Sequence, residues 1–351
     1  MQHALSLGAR GGSKVMPNPQ VGCILVRDGE VIAEGWHDHI GGLHAEQMAI
    51  ADAESRGVAT QGCTAYVTLE PCNHFGRTPP CTEALLWAGV SKVVIGVMDP
   101  NPTVRGDGAE TLRENGVEVE CGILESECEE QMRAFMQWCR TRRPLVLLKA
   151  ATDINGRIDC SPDEPAGRFS STESLELVHD LRAQSMAILV GVNTIIRDDP
   201  SLTVRGPDIG PREQPMRVVI DPDRRVPDDS RIVSDGGPRT LLIHCSESDD
   251  ENDPDNVERV ILADDDGEIS TGRILDMLGD RGIQLVMVEG GADTWRRFLE
   301  SKQVDIAHLC ISPVELSGGG VSFDKNDLSD AGLTKIDSFD SGVDVVSRWS
   351  R

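Results

Sequence analysis

Positive charge is what this chain has least of: 34 Lys and Arg stand against 59 Asp and Glu in 351 residues, a formal net charge of −25. Binding a polyanion requires lysine and arginine to displace its condensed counterions, so nucleic acid is excluded as a default partner. No run approaches the roughly 18 consecutive apolar residues of a membrane helix, which excludes a membrane-spanning reading. Residues 1–12 lack the apolar core and small-residue cleavage site of a secretory signal, so a cytoplasmic protein is expected. The 10 cysteines lack the dense spacing of a small disulfide framework. In a reducing compartment those that matter bind metal or do chemistry, and most of the others are plain buried thiols. No G-x-G-x-x-G follows a strand, so the usual dinucleotide fingerprint is missing, and no internal repeat is visible.

What is present points to two domains, because 351 residues exceed what one hydrophobic core usually organises. Residues 1–150 carry 13 basic and 19 acidic side chains and residues 151–351 carry 21 and 40, so the halves differ in kind. In residues 247–268 eleven acids accompany a single cation, Arg259, and that stretch is expected to be mostly solvated loop. Short β-branched runs alternate with helical patterns, the mark of an α/β layered structure. Runs 21–27 and 30–35 flank Asp28-Gly29 and read as a hairpin with a tight turn. A helix is expected over 44–56, a strand over 65–69, a helix from Thr78-Pro79-Pro80 to Trp87, a strand over 92–97 and a helix over 125–140. The cluster Thr141-Arg142-Arg143-Pro144 then punctuates the chain, placing the boundary between a domain over 1–143 and one over 144–351. Strands are expected again over 145–150, 187–190, 217–220, 240–243, 285–288 and 306–311, with helices over 172–182 and 292–301.

The sharpest chemical constellation is His44-Ala45-Glu46, then Pro71-Cys72, then Cys81. One imidazole and two thiolates suit zinc, and three protein ligands leave the fourth tetrahedral position open, which is the arrangement of a catalytic site. An H-x-E element joined to a P-C element is the pattern of zinc deaminases, in which the glutamate works on protons and not on the metal. Here the two cysteines lie nine positions apart in place of the short P-C-x-x-C form. Residues i and i+2 share no helix face, so His44 and Glu46 converge only on a site above the N-terminal end of their helix. Cys81, in the first turn after two prolines, also sits at a helix N-terminus, where the dipole favours a thiolate. A closed structural zinc site, with His74 as the nearest fourth ligand, is the alternative. A base editor acting on nucleic acid with the same zinc core would need a basic channel, which the charge opposes.

The run Pro17-Asn18-Pro19-Gln20-Val21-Gly22-Cys23, with His44-Ala45-Glu46, with Pro71-Cys72-Asn73-His74-Phe75-Gly76-Arg77-Thr78-Pro79-Pro80-Cys81 and with Asp99-Pro100-Asn101-Pro102, resembles the bifunctional deaminase/reductase family of riboflavin biosynthesis. The long cysteine spacing filled by Gly-Arg-Thr-Pro-Pro is that family's own variant. The resemblance implies a cytidine-deaminase-like three-layer domain followed by a dihydrofolate-reductase-like domain. It implies zinc-dependent deamination of 2,5-diamino-6-(phosphoribosylamino)pyrimidin-4-one, then NADPH-dependent reduction of the ribosyl group to ribityl. By the same resemblance Glu46 is catalytic, His44, Cys72 and Cys81 hold Zn2+, Asn18, His37, His74 and Asn101 surround the pyrimidine and ribose, and Arg77 lies near the phosphate. The partner is a small-molecule phosphoribosyl pyrimidine, and a homo-oligomer is expected.

In the second half, Val286-Met287-Val288-Glu289-Gly290-Gly291-Ala292 runs a strand through glycines into a helix, a turn whose amides can approach phosphate oxygens. The resemblance extends through Leu148-Lys149-Ala150-Ala151, Leu181-Arg182-Ala183-Gln184, Gly191-Val192-Asn193-Thr194 and the segment from Asp198-Asp199-Pro200 to Leu202-Thr203-Val204-Arg205. It implies that Lys149, Arg182, Leu202, Arg205 and Glu289 hold the substrate and that Thr152, Arg168, Thr194, Asp198, Gly290, Gly291 and Ala292 meet NADPH. Two places depart from the family pattern: Asp153-Ile154-Asn155-Gly156 replaces Ser-Leu-Asp-Gly, and Ala166-Gly167-Arg168-Phe169 replaces Ser-x-Trp-Ile. The aromatic wall is lost or moved by one to Phe169. The alternative is a monofunctional deaminase carrying a degenerate second domain.

Overall fold

The computed structural model describes residues 1–74, 79–101, 107–161, 164, 167–210, 213–247, 253–264, 267–317 and 321–351. Two compact units result, Met1–Thr141 with Ile209–Arg212, and Arg142–Asp208 with Glu213–Arg351. Among the described residues no helix is long and apolar enough to cross a membrane.

The first unit runs α1 (Gln2–Gly8), β1 (Gly22–Arg27), β2 (Glu30–Trp36), α2 (Ala45–Ser55), β3 (Thr64–Leu69), α3 (Cys81–Trp87), β4 (Lys92–Val97), α4 (Asp107–Glu114), β5 (Glu118–Cys121), α5 (Glu125–Gln131) and α6 (Arg133–Thr141). Its sheet has the order β2-β1-β3-β4-β5, with β1 antiparallel to both neighbours and β3, β4 and β5 parallel. The β1–β2 turn puts Asp28 at φ 52° and Gly29 at φ 81°, the left-handed pair that a two-residue hairpin requires. On one face α2 buries Ala45, Ala49 and Ala53 completely. Alanines are needed because the helix rides on β2 so closely that a Cβ at Gly35 would come within 2.2 Å of the Ala49 nitrogen. The opposite face is covered through Leu5 of α1 and by Cys128, Met132 and Met136. Helices therefore cover both sides of the sheet, giving three layers. The expected helix over 125–140 is two helices, broken at Met132 (φ −110°, ψ 21°).

The second unit runs β6 (Leu145–Thr152), α7 (Thr172–Ala183), β7 (Ala187–Gly191), α8 (Val192–Asp198), β8 (Met216–Ile220), α9 (Arg231–Ser234), β9 (Thr240–His244), β10 (Val257–Ile261), α10 (Thr271–Asp280), β11 (Leu285–Val288), α11 (Ala292–Glu300), β12 (Ile306–Ile311), α12 (Asn326–Asp330), β13 (Thr334–Ser341) and β14 (Asp344–Ser350). The sheet order is β10-β9-β8-β7-β11-β6-β12-β14-β13. Its first seven strands are parallel, β14 is antiparallel to β12, and β13 is antiparallel to β14. Parallel strands covered on both faces read as continuous apolar runs, which is why β7, β8, β9 and β11 were visible in the sequence. The acidic stretch is not all loop: Val257–Ile261 pairs with β9, and Arg259 is held by Asp253 at 2.7 Å. Backbone pairing with β9, together with charge neutralisation at Arg259, outweighs the polar composition there.

Candidate active sites

In the first unit the ends of β3 and β4 and the N-termini of α2 and α3 surround a pocket of about 260 Å³. His44 is the N-cap of α2 and Cys81 the first residue of α3, as the i, i+2 argument requires. The two ends are tied together by Gln47, whose side chain accepts from the His44 amide at 3.2 Å and donates to the Pro79 carbonyl at 3.0 Å. The Cys81 amide donates to Cys72 Sγ at 3.4 Å, the contact expected when a helix N-terminus faces a thiolate. His44 Nδ1 lies 3.6 Å from Cys72 Sγ and 3.3 Å from Cys81 Sγ. Nitrogen and sulfur ligands of one tetrahedral zinc sit roughly 3.6 Å apart, given the usual bond lengths. The donor set therefore fits zinc. His74 lines the pocket but is outside this ligand group, so among the described residues the site keeps three protein ligands and not the closed four.

Glu46 is 3% exposed, in the same pocket and against Cys81. Burial, followed by the charge of Cys72, pushes its carboxyl up to about 7. The hydrogen bond from Cys81, and then that to His44, pulls the Cys72 thiol well below its ordinary value and makes it the more acidic sulfur of the pair. His37 donates Nδ1–H to the Leu43 carbonyl at 2.9 Å, which leaves Nε2 to accept from the Asn18 amide at 3.1 Å. Burial lowers the His37 pKa, consistent with this neutral tautomer. Asn18, His37, His74 and Asn101 all line the pocket, and Arg77 lies outside the described residues.

Sequence reasoning missed Glu70, Asp99 and Phe135 in this wall. The two oxygens of Glu70 accept the amides of Asp99 (3.1 Å) and Ala109 (3.0 Å), so it builds the pocket floor. Its signal was its place beside Pro71-Cys72 at the end of a strand.

The second unit holds a cleft of about 930 Å³, at the upper end of the usual range for ligand sites. Lys149, Arg168, Thr194, Asp198, Glu289, Gly290, Gly291 and Ala292 all line it. Thr152, Leu202 and Arg205 are not in its wall. Thr152 is buried at the end of β6, Leu202 packs in an apolar cluster at 2% exposure, and the Arg205 amide donates to His179 Nδ1 at 3.1 Å. Arg182 is spent inside the protein: its Nε and Nη2 donate to the Glu289 carboxylate at 2.9 and 2.8 Å and its Nη1 to the Thr203 carbonyl at 3.1 Å. Burial pushes the Glu289 carboxyl up, but Arg182 and then Lys149 outweigh it and leave it below its ordinary value.

Removing Arg182 strips this buried carboxylate of its hydrogen-bonding partner and leaves Lys149 as the main cation beside it, so Arg182→Met is expected to destabilise the second unit by on the order of 3 kcal/mol at neutral pH. Below the ordinary carboxylate range the loss should shrink, because Glu289 escapes by protonation. Urea unfolding at the two pH values measures both.

The glycine turn before α11 is tight: a Cβ at Gly290 would lie 2.9 Å from the Gly191 nitrogen, while the Gly291 amide reaches Thr194 Oγ1 at 3.3 Å. With Arg197 and Arg225, both missed in the sequence, the turn and Arg168 give the cleft donors suited to a phosphorylated dinucleotide. The two departures have physical accounts. Asp153 accepts the amides of Asn155 (2.8 Å), Arg157 (2.7 Å) and Leu316 (2.9 Å), so it organises its own loop. Phe169 lines the cleft, which supplies an aromatic wall one position along, while Ala166 lies outside the described residues.

The comparisons agree with this geometry. Residues 1–97 match the cytidine and deoxycytidylate deaminase zinc-binding region, and residues 144–347 match the RibD C-terminal domain. The riboflavin biosynthesis protein RibD of Aquifex aeolicus is 36% identical over 96% of this chain and 91% of its own. That of Escherichia coli is 37% identical over 89% and 86%. The crystal structure of a diaminohydroxyphosphoribosylaminopyrimidine deaminase/5-amino-6-(5-phosphoribosylamino)uracil reductase from Thermotoga maritima superposes with a TM-score of 0.85 at 34% identity, covering 100% of this chain and 97% of that one. Fold and sites thus define a two-domain enzyme that joins a cytidine-deaminase-like zinc domain to a reductase domain of dihydrofolate-reductase-like fold. The chain belongs to the RibD family, and it is a bifunctional deaminase and reductase of riboflavin biosynthesis rather than a deaminase with a degenerate second half.

Proposed function

We propose that the domain over 1–143 removes the 2-amino group of 2,5-diamino-6-(5-phosphoribosylamino)pyrimidin-4-one and that the domain over 144–351 reduces the ribosyl group of the product with NADPH. His44 Nδ1, Cys72 and Cys81 would hold Zn2+, which would supply the Lewis acidity that brings the pKa of water toward neutrality. As the carbon–oxygen bond forms, Glu46 carries the protons of the attacking water, one to the neighbouring ring nitrogen and one to the departing amino nitrogen. Ammonia leaves and a carbonyl remains. Asn18, His37, His74 and Asn101 hold the pyrimidine and ribose, and Arg77 the phosphate.

Thr194, Asp198, Arg168 and the turn from Gly290 to Ala292 would hold NADPH in the cleft, with Thr152 supporting them from the end of β6, and the cofactor would supply the hydride for C1′. Lys149 gives a proton to O4′ as the C1′–O4′ bond opens, with Glu289 holding its ammonium. Arg182 orients Glu289, while Leu202 and Arg205 shape the loop behind it. The enzyme works on small molecules in the cytoplasm as a homo-oligomer, with neither nucleic acid nor membrane as partner.

The observation that carries this reading is the convergence of His44, Cys72 and Cys81 beside the buried Glu46. Metal analysis tests it: the wild-type chain should hold one zinc, and Cys72→Ser and Cys81→Ser should lose it. Stoichiometric zinc in both variants contradicts the assignment.

A further inference from the structure

Beside Lys149, which also lines the cleft, α7 does not close on the sheet with apolar packing alone. A second cavity of about 10 Å³ lies there, lined by Lys149, Ser174, His308 and Cys310 together with apolar residues of α7 and Val346. That volume is the size of one water, and the lining is polar enough to hold it. His308 is the β12 register partner of Lys149, and Cys310 follows two residues along, on the same face. From Cys310 the polar contacts continue: its Sγ lies 3.5 Å from Ser174 Oγ and 3.6 Å from Asp344 Oδ2. Asp344 is fully buried at the start of β14, and its Oδ2 also accepts the Ser171 amide at 2.8 Å. Asp344 Oδ1 and His308 Nδ1 are buried with no hydrogen-bond partner among the described residues. Burial pushes the Asp344 carboxyl up, but Ser174, Ser171 and Ser312 around it outweigh that cost and hold it below the ordinary range, and a nearby cation adds to their effect. Lys149 is the cation that faces this cluster.

We propose that an ordered water in this cavity couples Lys149 to Asp344 through Ser174 and Cys310, making Asp344 a positioning residue for the reductase lysine alongside Glu289. The charged and titratable groups around Lys149 are Glu289 after β11, Arg182 on α7, His308 and Cys310 on β12, and Asp344 on β14. Burial lowers the Lys149 pKa, Glu289, Cys310 and Asp344 act against that, and Arg182 reinforces it. The two carboxylates both favour the ammonium form of Lys149 against its burial. This rests on Lys149 being the proton donor of the reduction.

The test is the pH profile of reductase kcat/KM in the zinc-loaded full chain, supplied with the deaminated phosphoribosylaminouracil. In Asp344→Asn, which keeps shape and the Ser171 acceptor, loss of the nearby negative charge disfavours the ammonium. The basic limb should therefore move to lower pH, kcat should fall several-fold, and KM for NADPH and the deaminase rate should not change. Ser174→Ala should move the limb in the same direction, and Ser174→Thr, which restores a hydroxyl, should move it back. An unmoved limb in folded Asp344→Asn overturns the proposal. If that variant does not fold, an unmoved limb in Ser174→Ala does so. Lys149→Met separates the two ideas: a limb that persists there belongs to another group, which rejects the role of Lys149 itself.

Discussion

Glu46→Gln is expected to reduce ammonia release by on the order of 10²-fold or more while zinc stays bound. The substitution keeps the volume of a side chain that is 3% exposed at the start of α2, so the fold around it should persist. Glu46 is not in the ligand group, hence the metal should not leave with it. What is lost is the group able to take a proton from water and return it to nitrogen. Ammonia release and zinc content measured on one preparation separate the two effects. Near-normal deamination removes Glu46 from the chemistry, and loss of zinc makes it a ligand or a fold residue.

The second large effect is on the other reaction. Lys149→Met should abolish NADPH consumption, by on the order of 10²-fold or more for loss of a positioned proton donor, and leave deamination intact. The two sites lie in separate compact units, so a change inside one core has no direct route to the other's chemistry. The wild-type pH dependence should carry the same signature. Burial is the first cause of a lowered Lys149 pKa, so the ammonium is lost at lower pH than for an exposed lysine. Reduction should accordingly fall as pH rises through that depressed value. Following NADPH absorbance with the deaminated compound supplied directly measures both.

The candidate deaminase site was legible because its chemistry is local in sequence. A histidine and a glutamate two apart can meet only over a helix end, and prolines before Cys81 mark another helix end, so residue types and motif suggested the candidate ligands and backbone rules suggested where they lie. The Asp28-Gly29 turn was readable for the same reason. Other features depend on contacts distant in the chain. Glu70 stands beside Pro71-Cys72, but the partners that build it into the pocket are amides 29 and 39 residues away, which no local pattern reveals. The strand Val257–Ile261 sits amid acids and becomes a strand through pairing with β9. The edge strand β13 is exposed along most of its length, Ile336 included, and the buried positions of β14 include Asp344 and Ser347, so neither strand shows an apolar run. In the reductase half the residues named from family resemblance divide into cleft walls and interior supports. Arg182 is the clearest case: a cation that would suit a phosphate is already held by Glu289 and Thr203.

The central claim is that one chain carries both reactions in sequence. Its most direct test is mass analysis of the product formed from the diamino phosphoribosylaminopyrimidinone by the zinc-loaded chain, with and without NADPH. Without NADPH the deaminated ribosyl compound should accumulate, and with it the deaminated ribityl compound should replace that product. The same ribosyl product in both incubations, from a folded and zinc-replete chain, contradicts the account.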